Sequence, residues 1–130
     1  MTPAIFELTL PFPPQSQSPN ARVNFHVKAR DAATYKNECY VLARTERQRL
    51  QNEGADFPLT VPVTVLLTFL LPARTRRDWD NLHASFKAGF DGIVEAGVLH
   101  DDNVWELRMG LEVELGKKAG VRVRLVGGDE

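Results

Sequence analysis

The stretch from Trp105 to Leu115 constrains the fold more than any other part of the chain. Trp105, Leu107, Met109, Leu111, Val113 and Leu115 alternate with Glu106, Arg108, Gly110, Glu112 and Glu114. A period of two is the period of a strand, so the pattern predicts one apolar face and one wet face. Gly116 to Gly120 reads as a turn, after which Val121, Val123 and Leu125 alternate with Arg122 and Arg124. Together the two runs predict a β-hairpin solvated on one side. Its apolar side needs a second layer, which the preceding residues must supply.

Two helical patterns precede it. Asp31 is the expected N-cap of a helix running to about Asn52, with Tyr35, Cys39, Leu42 and Leu50 at helical spacing and Gly54 and Pro58 beyond its end. A second helix is predicted from Asp80 to Gly97. Leu82, Phe86, Gly89, Phe90 and Ile93 fall on one face of it, and Asp80, Lys87 and Asp91 on the opposite one. Ala4 to Leu10, carrying Ile5, Phe6, Leu8 and Leu10, reads as a first strand ended by Pro11, Pro13 and Pro14. Gln15 to Asn20 reads as a mobile surface loop, Arg22 to Lys28 as a short extended piece, and Pro62 to Leu71 as a buried strand. The order is β-α-β-α-β-β. The expected fold is therefore α+β, a single domain over residues 1–130 with a mixed sheet of about four strands packed by two helices.

No uninterrupted apolar run reaches membrane-spanning length; the longest, Val61 to Pro72, is broken by Pro62, Thr64 and Thr68. No secretory signal is evident, and a cytoplasmic protein is expected. The single cysteine, Cys39, excludes an internal disulfide and a cysteine-based zinc site, and fits a small core residue on a helix. Net charge is −1, but it is uneven. Arg22 to Arg49 carries seven basic and three acidic residues, whereas five acidic residues, Glu106, Glu112, Glu114, Asp129 and Glu130, lie toward the end. A basic face suits a polyanion, and the same stretch also reads as an ordinary solvated helix.

The chemistry lies in the carboxylates. Asp78 and Asp80 open the second helix within Arg76-Arg77-Asp78-Trp79-Asp80-Asn81-Leu82, and Asp101 and Asp102 follow its end within His100-Asp101-Asp102-Asn103. Carboxylates that can hold a hard divalent metal, beside guanidinium groups that can hold phosphate (Arg74, Arg76 and Arg77), point to phosphodiester chemistry. Helix length puts the two acidic pairs on the order of 25 Å apart, so they meet only if the chain folds back after Gly97. If they meet, the all-oxygen donor set calls for Mg2+ or Mn2+. Lys87 would then face the charge that develops on phosphorus, and Arg76 and Arg77 the flanking phosphates. Lys28 and Arg30 are further candidates for DNA contact, on charge and exposure. Each piece also has a structural reading. Asp-x-Asp can be a helix cap plus a surface acid, Asp-Asp-Asn a turn, and Asp91 a partner of Lys87 one turn away. Trp79 and Trp105 read as packing residues, and of the three histidines His100 alone is kept as a minor candidate.

Taken together, these segments resemble the RusA family of Holliday junction resolvases. The likeness rests on Arg76 to Leu82, on Lys87-Ala88-Gly89-Phe90-Asp91, on Glu95-Ala96-Gly97-Val98, on Asp101-Asp102, and on the opening Leu8-Thr9-Leu10-Pro11-Phe12-Pro13-Pro14. It implies a compact mixed α/β domain and a homodimer that nicks opposing strands of a four-way DNA junction symmetrically. It also implies a magnesium site on Asp78, Asp80 and Asp102 with Asp101 as neighbour, and no small-molecule cofactor. The chain departs from the family's pattern at one position, and in overall charge it is less basic than a DNA-binding domain is expected to be. Where the family has Asp-Asn-Leu-x-Lys, the lysine position is Ala84. A three-residue insertion near His83 to Phe86 accounts for this, moving Lys87 by roughly 4.5 Å along a continuous helix while keeping its face. Two alternatives stay open: a non-catalytic DNA-junction-binding protein of the same fold, and a metal-dependent transferase using Asp-x-Asp to hold a nucleotide diphosphate.

Overall fold

The computed structural model describes residues 4–103 and 105–128. Its elements are β1 (Ala4–Leu10), a 3-10 turn (Gln15–Gln17), α1 (Phe25–Asn52), β2 (Val63–Leu71), α2 (Trp79–Ser85), α3 (Lys87–Glu95), β3 (Leu107–Leu115) and β4 (Gly120–Gly127). The four strands form one sheet in the order β1-β4-β2-β3, with β4 antiparallel to both neighbours and β2 parallel to β3. This is the mixed-sheet α+β fold expected, with three helices in place of two. No helix among the described residues is long and apolar enough to cross a membrane.

Strand alternation sets the core. Phe6 and Leu10 of β1, Val63, Val65, Leu67, Phe69 and Leu71 of β2, and Val121, Val123 and Leu125 of β4 are all buried. All of these but Leu71 meet Tyr35, Cys39 and Ala43 of α1 and Leu82, Phe86, Phe90 and Ile93 of α2 and α3 in one cluster. Each such large side chain stabilises the fold by about 1.5–3 kcal/mol through removal of apolar surface from water. The opposite side of the sheet is wet and carries ion pairs such as Arg124–Glu7 and Arg122–Glu114.

The hairpin predicted from β3 and β4 does not form. β2 lies between them, pairing with β3 on one side and β4 on the other. Alternation tells which residues share a face, not which strand is the neighbour. Residues 116–119 step across the end of β2, where Gly116 N–H donates to Leu71 O at 2.9 Å. β2 is the most apolar strand, so the centre of the sheet suits it. The β3 alternation is retained from Leu107. Trp105 belongs to the turn before the strand and is 89% exposed, while Trp79 is 63% exposed, so neither is a packing residue. Val104, the residue before this pattern, lies outside the described residues.

Helix α1 begins six residues before the expected cap. Asn24, whose Oδ1 accepts from Val27 N–H at 2.9 Å, is its N-cap, and Arg22 to Lys28 is not extended throughout. The first turns are mostly exposed and leave no apolar periodicity to read. Asp31 instead accepts from Ser16 Oγ at 2.7 Å. That bond ties down Gln15 to Asn20, where Ser16 is buried, so the segment is a built wall rather than a loose loop.

The second predicted helix is broken at Phe86 (φ −91°, ψ 0°) into α2 and α3. Phe86 is buried, and its ring packs edge-on to Phe69 and Tyr35. Ser85 Oγ donates to Leu82 O at 2.7 Å at the break. The predicted apolar face spans both pieces and is buried throughout.

Helix α3 rests on α1 through Gly92, where an added Cβ would lie 2.5 Å from Lys36 O and 3.0 Å from Tyr40 N. Both atoms are main chain, so α1 and α3 would have to move apart. Gly92→Ala is expected to destabilise the protein by about 2 kcal/mol, the usual cost of overpacking a rigid contact. Urea unfolding would check it, and an unchanged midpoint would mean that the helices re-pack freely.

Candidate functional site

The chain does fold back after Gly97, which ends α3 with a positive φ of +83°. Val98 and Leu99 are buried, and Leu59 N–H donates to Val98 O at 2.9 Å, which pins the return. Asp101, Asp102 and Asn103 are then exposed beside the start of α3. Lys87, the first residue of α3, donates from Nζ to Asp91 Oδ1 at 2.6 Å and to Asp102 Oδ2 at 3.0 Å. The break at Phe86 matters here, because it makes Lys87 a helix-start residue rather than one further along a continuous rod.

Electrostatics follow from that contact. The hydrogen bond to Asp91, and then that to Asp102, raises the Lys87 pKa above the ordinary lysine range. Lys87 in turn holds Asp102 below the ordinary carboxylate range. The raised lysine favours the folded state below its unfolded pKa, and this is lost as pH rises through the folded one. The depressed carboxylate favours it above its unfolded pKa, and this is lost as pH falls through the folded one. The pair is therefore fully charged through the whole neutral range. Both groups are largely exposed, so the contact positions side chains more than it stabilises the protein.

Asp78 and Asp80 lie at the start of α2. Asp78 is the N-cap residue; its Oδ2 accepts from Asn81 Nδ2 at 3.4 Å, and its Oδ1 lies 3.6 Å from Arg76. Asp80 Oδ1 accepts from Asn81 N–H at 3.1 Å. Of the two carboxylates, Asp78 lines a recess, a polar groove of about 530 Å3 shared with Phe12, Pro13, Gln15, Arg76, Arg77 and Asn81. Across α2, His83, Ala84, Lys87 and Asp102 share an apolar groove of about 510 Å3 with Phe90 and Met109. Asp80 precedes His83 and Ala84 by three and four residues, so it lies one helical turn from that groove. Among the described residues, no group of three or more His, Cys, Asp or Glu side chains is close enough to cage a metal ion.

The arginines lie beside Asp78 and on the adjoining surface. The Arg77 guanidinium lies 5.6 Å from the Phe12 ring centroid, and its Nε donates to Thr75 Oγ1 at 3.4 Å. Arg76 lines the same groove, and Arg74 lies on the neighbouring surface with Thr75, Val113 and Leu115. Lys28 and Arg30 are on the first turns of α1, beside the 3-10 wall, where Lys28 O accepts from Gln17 Nε2 at 2.9 Å. Arg30 is paired with Asp31 at 3.4 Å, which blunts its charge. Asp101 Oδ1 accepts from Asp102 N–H at 2.8 Å and so shapes the loop. His100 lies 3.6 Å from Glu106, away from Lys87.

Sequence reasoning passed over three participants. His83 lines the same groove as Lys87 and Asp102, Asn81 donates to Asp78, and Arg77 lies over the Phe12 ring. The Asp-Asn pair in Asp80-Asn81 carried a signal for the second of these, since an amide beside two acids is an orienting group. Nothing local flags His83 or Phe12, whose roles come from packing.

Exposed carboxylates, a charged lysine between them and arginines lining the next groove make a site suited to phosphate and a hard cation. No protein-family model matches the chain. It is similar to a crossover junction endodeoxyribonuclease RusA of Escherichia coli, at 33% identity over 100 residues, covering 76% of this chain and 75% of the relative. Another from Escherichia coli is 34% identical over 98 residues, covering 75% and 73%. The RusA of Shigella sonnei matches to the same extent, 34% over 98 residues. The chain belongs to the RusA family of crossover junction endodeoxyribonucleases.

Proposed function

We propose that this protein is a Mg2+-dependent, structure-selective endodeoxyribonuclease that resolves four-way DNA junctions by paired symmetric phosphodiester hydrolysis, in DNA recombination and repair. In this reading residues 1–130 form one nuclease domain, which works as a homodimer in the cytoplasm. The observation that carries it is the meeting of Lys87 with Asp102, fifteen residues apart in sequence, one helical turn from the face of Asp80. Family membership supplies the substrate class, branched DNA.

The donor chemistry fits the ion. Asp78, Asp80, Asp101 and Asp102 offer oxygen alone and are exposed. Mg2+ keeps several waters and is usually held by one or two carboxylates plus substrate phosphate, so a closed protein cage is not required. Asp78, Asp80 and Asp102 would hold it, with Asp101 as their neighbour. When bound, the ion polarises a phosphoryl oxygen and eases ionisation of a water; Mn2+ would serve the same donors.

The chain's own groups do the rest. Arg76 and Arg77 bind a flanking phosphate in the polar groove, with Arg77 held by Phe12. Asn81 orients Asp78. Lys87 keeps its proton throughout the neutral range and faces the non-bridging oxygens as charge accumulates on them. Asp91 holds Lys87 in place when a cation competes for Asp102.

Synthetic four-way junction DNA tests this. Paired symmetric nicks are expected with Mg2+, and replacing Mg2+ by EDTA should remove them while gel-shift binding persists. Cleavage that continues in EDTA would end the metal-dependent reading. Tight binding with no nicks under Mg2+ or Mn2+ would favour a non-catalytic junction binder. Ala84, where the resemblance places a lysine, is the observation on that side.

A further inference from the structure

Three large hydrophobic side chains are more exposed than any other among the described residues, and all three are aromatic: Trp105, Phe25 and Trp79. Their surroundings differ. Trp105 adjoins β3, where Met109, Val113 and Leu115 are also exposed, and Phe25 packs edge-on to His26. Trp79 stands among charges instead. Residues 72–80 are all exposed and include Arg74, Arg76, Arg77, Asp78 and Asp80. An indole set alone among charged groups lacks the contiguous apolar area that a protein interface needs. The aromatic pairs among the described residues leave Trp79 out, so its ring faces no other ring. Its backbone is nonetheless fixed. Trp79 is the first residue of α2, and Asn81 holds the carboxylates on either side of it. The Asn81 side chain donates to Asp78 Oδ2 at 3.4 Å, and its main-chain N–H to Asp80 Oδ1 at 3.1 Å. A tryptophan on a fixed backbone has only two torsions to order, so contact through it costs little entropy.

We infer that the Trp79 indole is a stacking platform for one unpaired nucleobase of the DNA strand whose phosphate lies at Asp78 and Asp80. This deepens the nuclease reading and rests on it for the presence of that strand. An indole face suits a flat π-system and the guanidinium groups beside it suit phosphate; a nucleotide carries both. Arg76 and Arg77 line the polar groove on the Asp78 side, so the strand would run from that groove onto the indole. Inside a duplex both faces of a base are covered by its neighbours. A branch point interrupts the stack and frees a face. Every base has such a face, so Trp79 selects opened structure rather than sequence.

The chain has two tryptophans, which makes fluorescence specific. In the full chain carrying Trp105→Phe, Trp79 is the sole tryptophan. Its emission should be strongly quenched by hexathymidylate in Ca2+. An abasic oligonucleotide of the same length and charge should leave it unchanged, and so should a blunt duplex. Trp79→Leu should weaken hexathymidylate binding about tenfold, as loss of one base–aromatic stack does, and leave abasic-strand binding unaltered. Trp79→Phe should recover most of the affinity. Emission unchanged by hexathymidylate would overturn the inference. So would equal quenching by the abasic strand, or a Trp79→Leu protein that binds hexathymidylate as the parent does. The two readings fail separately. Junction nicking beside an unquenched Trp79 would remove this inference and keep the nuclease; quenching in a protein that nicks no junction would keep the platform and remove the nuclease.

Discussion

Asp80→Asn is expected to slow junction cleavage by at least ~1,000-fold while leaving junction affinity within about threefold, because a lost metal ligand removes nucleophile activation and charge stabilisation together. The substitution is nearly isosteric. Asparagine Oδ1 can still accept from Asn81 N–H, as Asp80 Oδ1 does at 3.1 Å, so the first turn of α2 should survive. Removing one negative charge from the DNA-facing surface would tighten binding slightly if it changed it at all. Single-turnover cleavage under saturating protein, with gel-shift affinity in Ca2+, separates the two effects. Cleavage within tenfold of the parent protein would remove Asp80 from the reaction. A matched loss of binding and cleavage would make it a DNA-positioning residue instead.

The second large effect is expected at Lys87. Lys87→Met keeps the aliphatic stem that lines the groove and deletes the charge. Cleavage should fall by roughly 100- to 1,000-fold, the usual consequence of losing one group that stabilises transition-state charge. Two further readouts distinguish this from simple structural damage. With its ammonium partner gone, Asp102 loses the first cause of its depressed pKa, so its titration by NMR should move up toward the ordinary carboxylate range. Freed of Lys87, Asp102 should also bind cations more readily, so the Mg2+ concentration for half-maximal residual activity should fall. Ala84 lines the same groove as Lys87 and Asp102. Ala84→Lys in the Lys87→Met background should therefore restore part of the lost rate. Full activity in Lys87→Met alone would mean that Lys87 is a surface partner of Asp91 and nothing more.

How far such a site can be read without coordinates is clear from its members. Asp78, Asp80, Asp101 and Asp102 announce themselves by residue type and crowding, and the Lys87–Asp91 pair by its i, i+4 spacing on the polar side of a helical pattern. The contact of Lys87 with Asp102 could not be read that way, because it depends on how sharply the chain turns after Gly97. Neither could the break at Phe86, because the same apolar face serves one long helix or two short ones. His83 and Phe12 acquire roles from neighbours distant in sequence, which no local pattern encodes.

The same division runs through the fold. Local sequence determined where each strand lies and, in the alternating β3 and β4, which side is apolar, since side-chain period is a property of a few consecutive residues. It determined the apolar face of the second helical pattern for the same reason, but only part of the first, where Leu42 is exposed and Ala43 is buried instead. Strand order was decided by tertiary structure alone. β3 and β4 alternate as a hairpin would, yet β2 lies between them, because pairing depends on which apolar strand most needs burial on both edges. The start of α1 was likewise decided by Asn24 and the wall it adjoins rather than by Asp31. Charge type and order are local; the distances that let charges act together come from the packing of α3 on α1 and the return of residues 98–103.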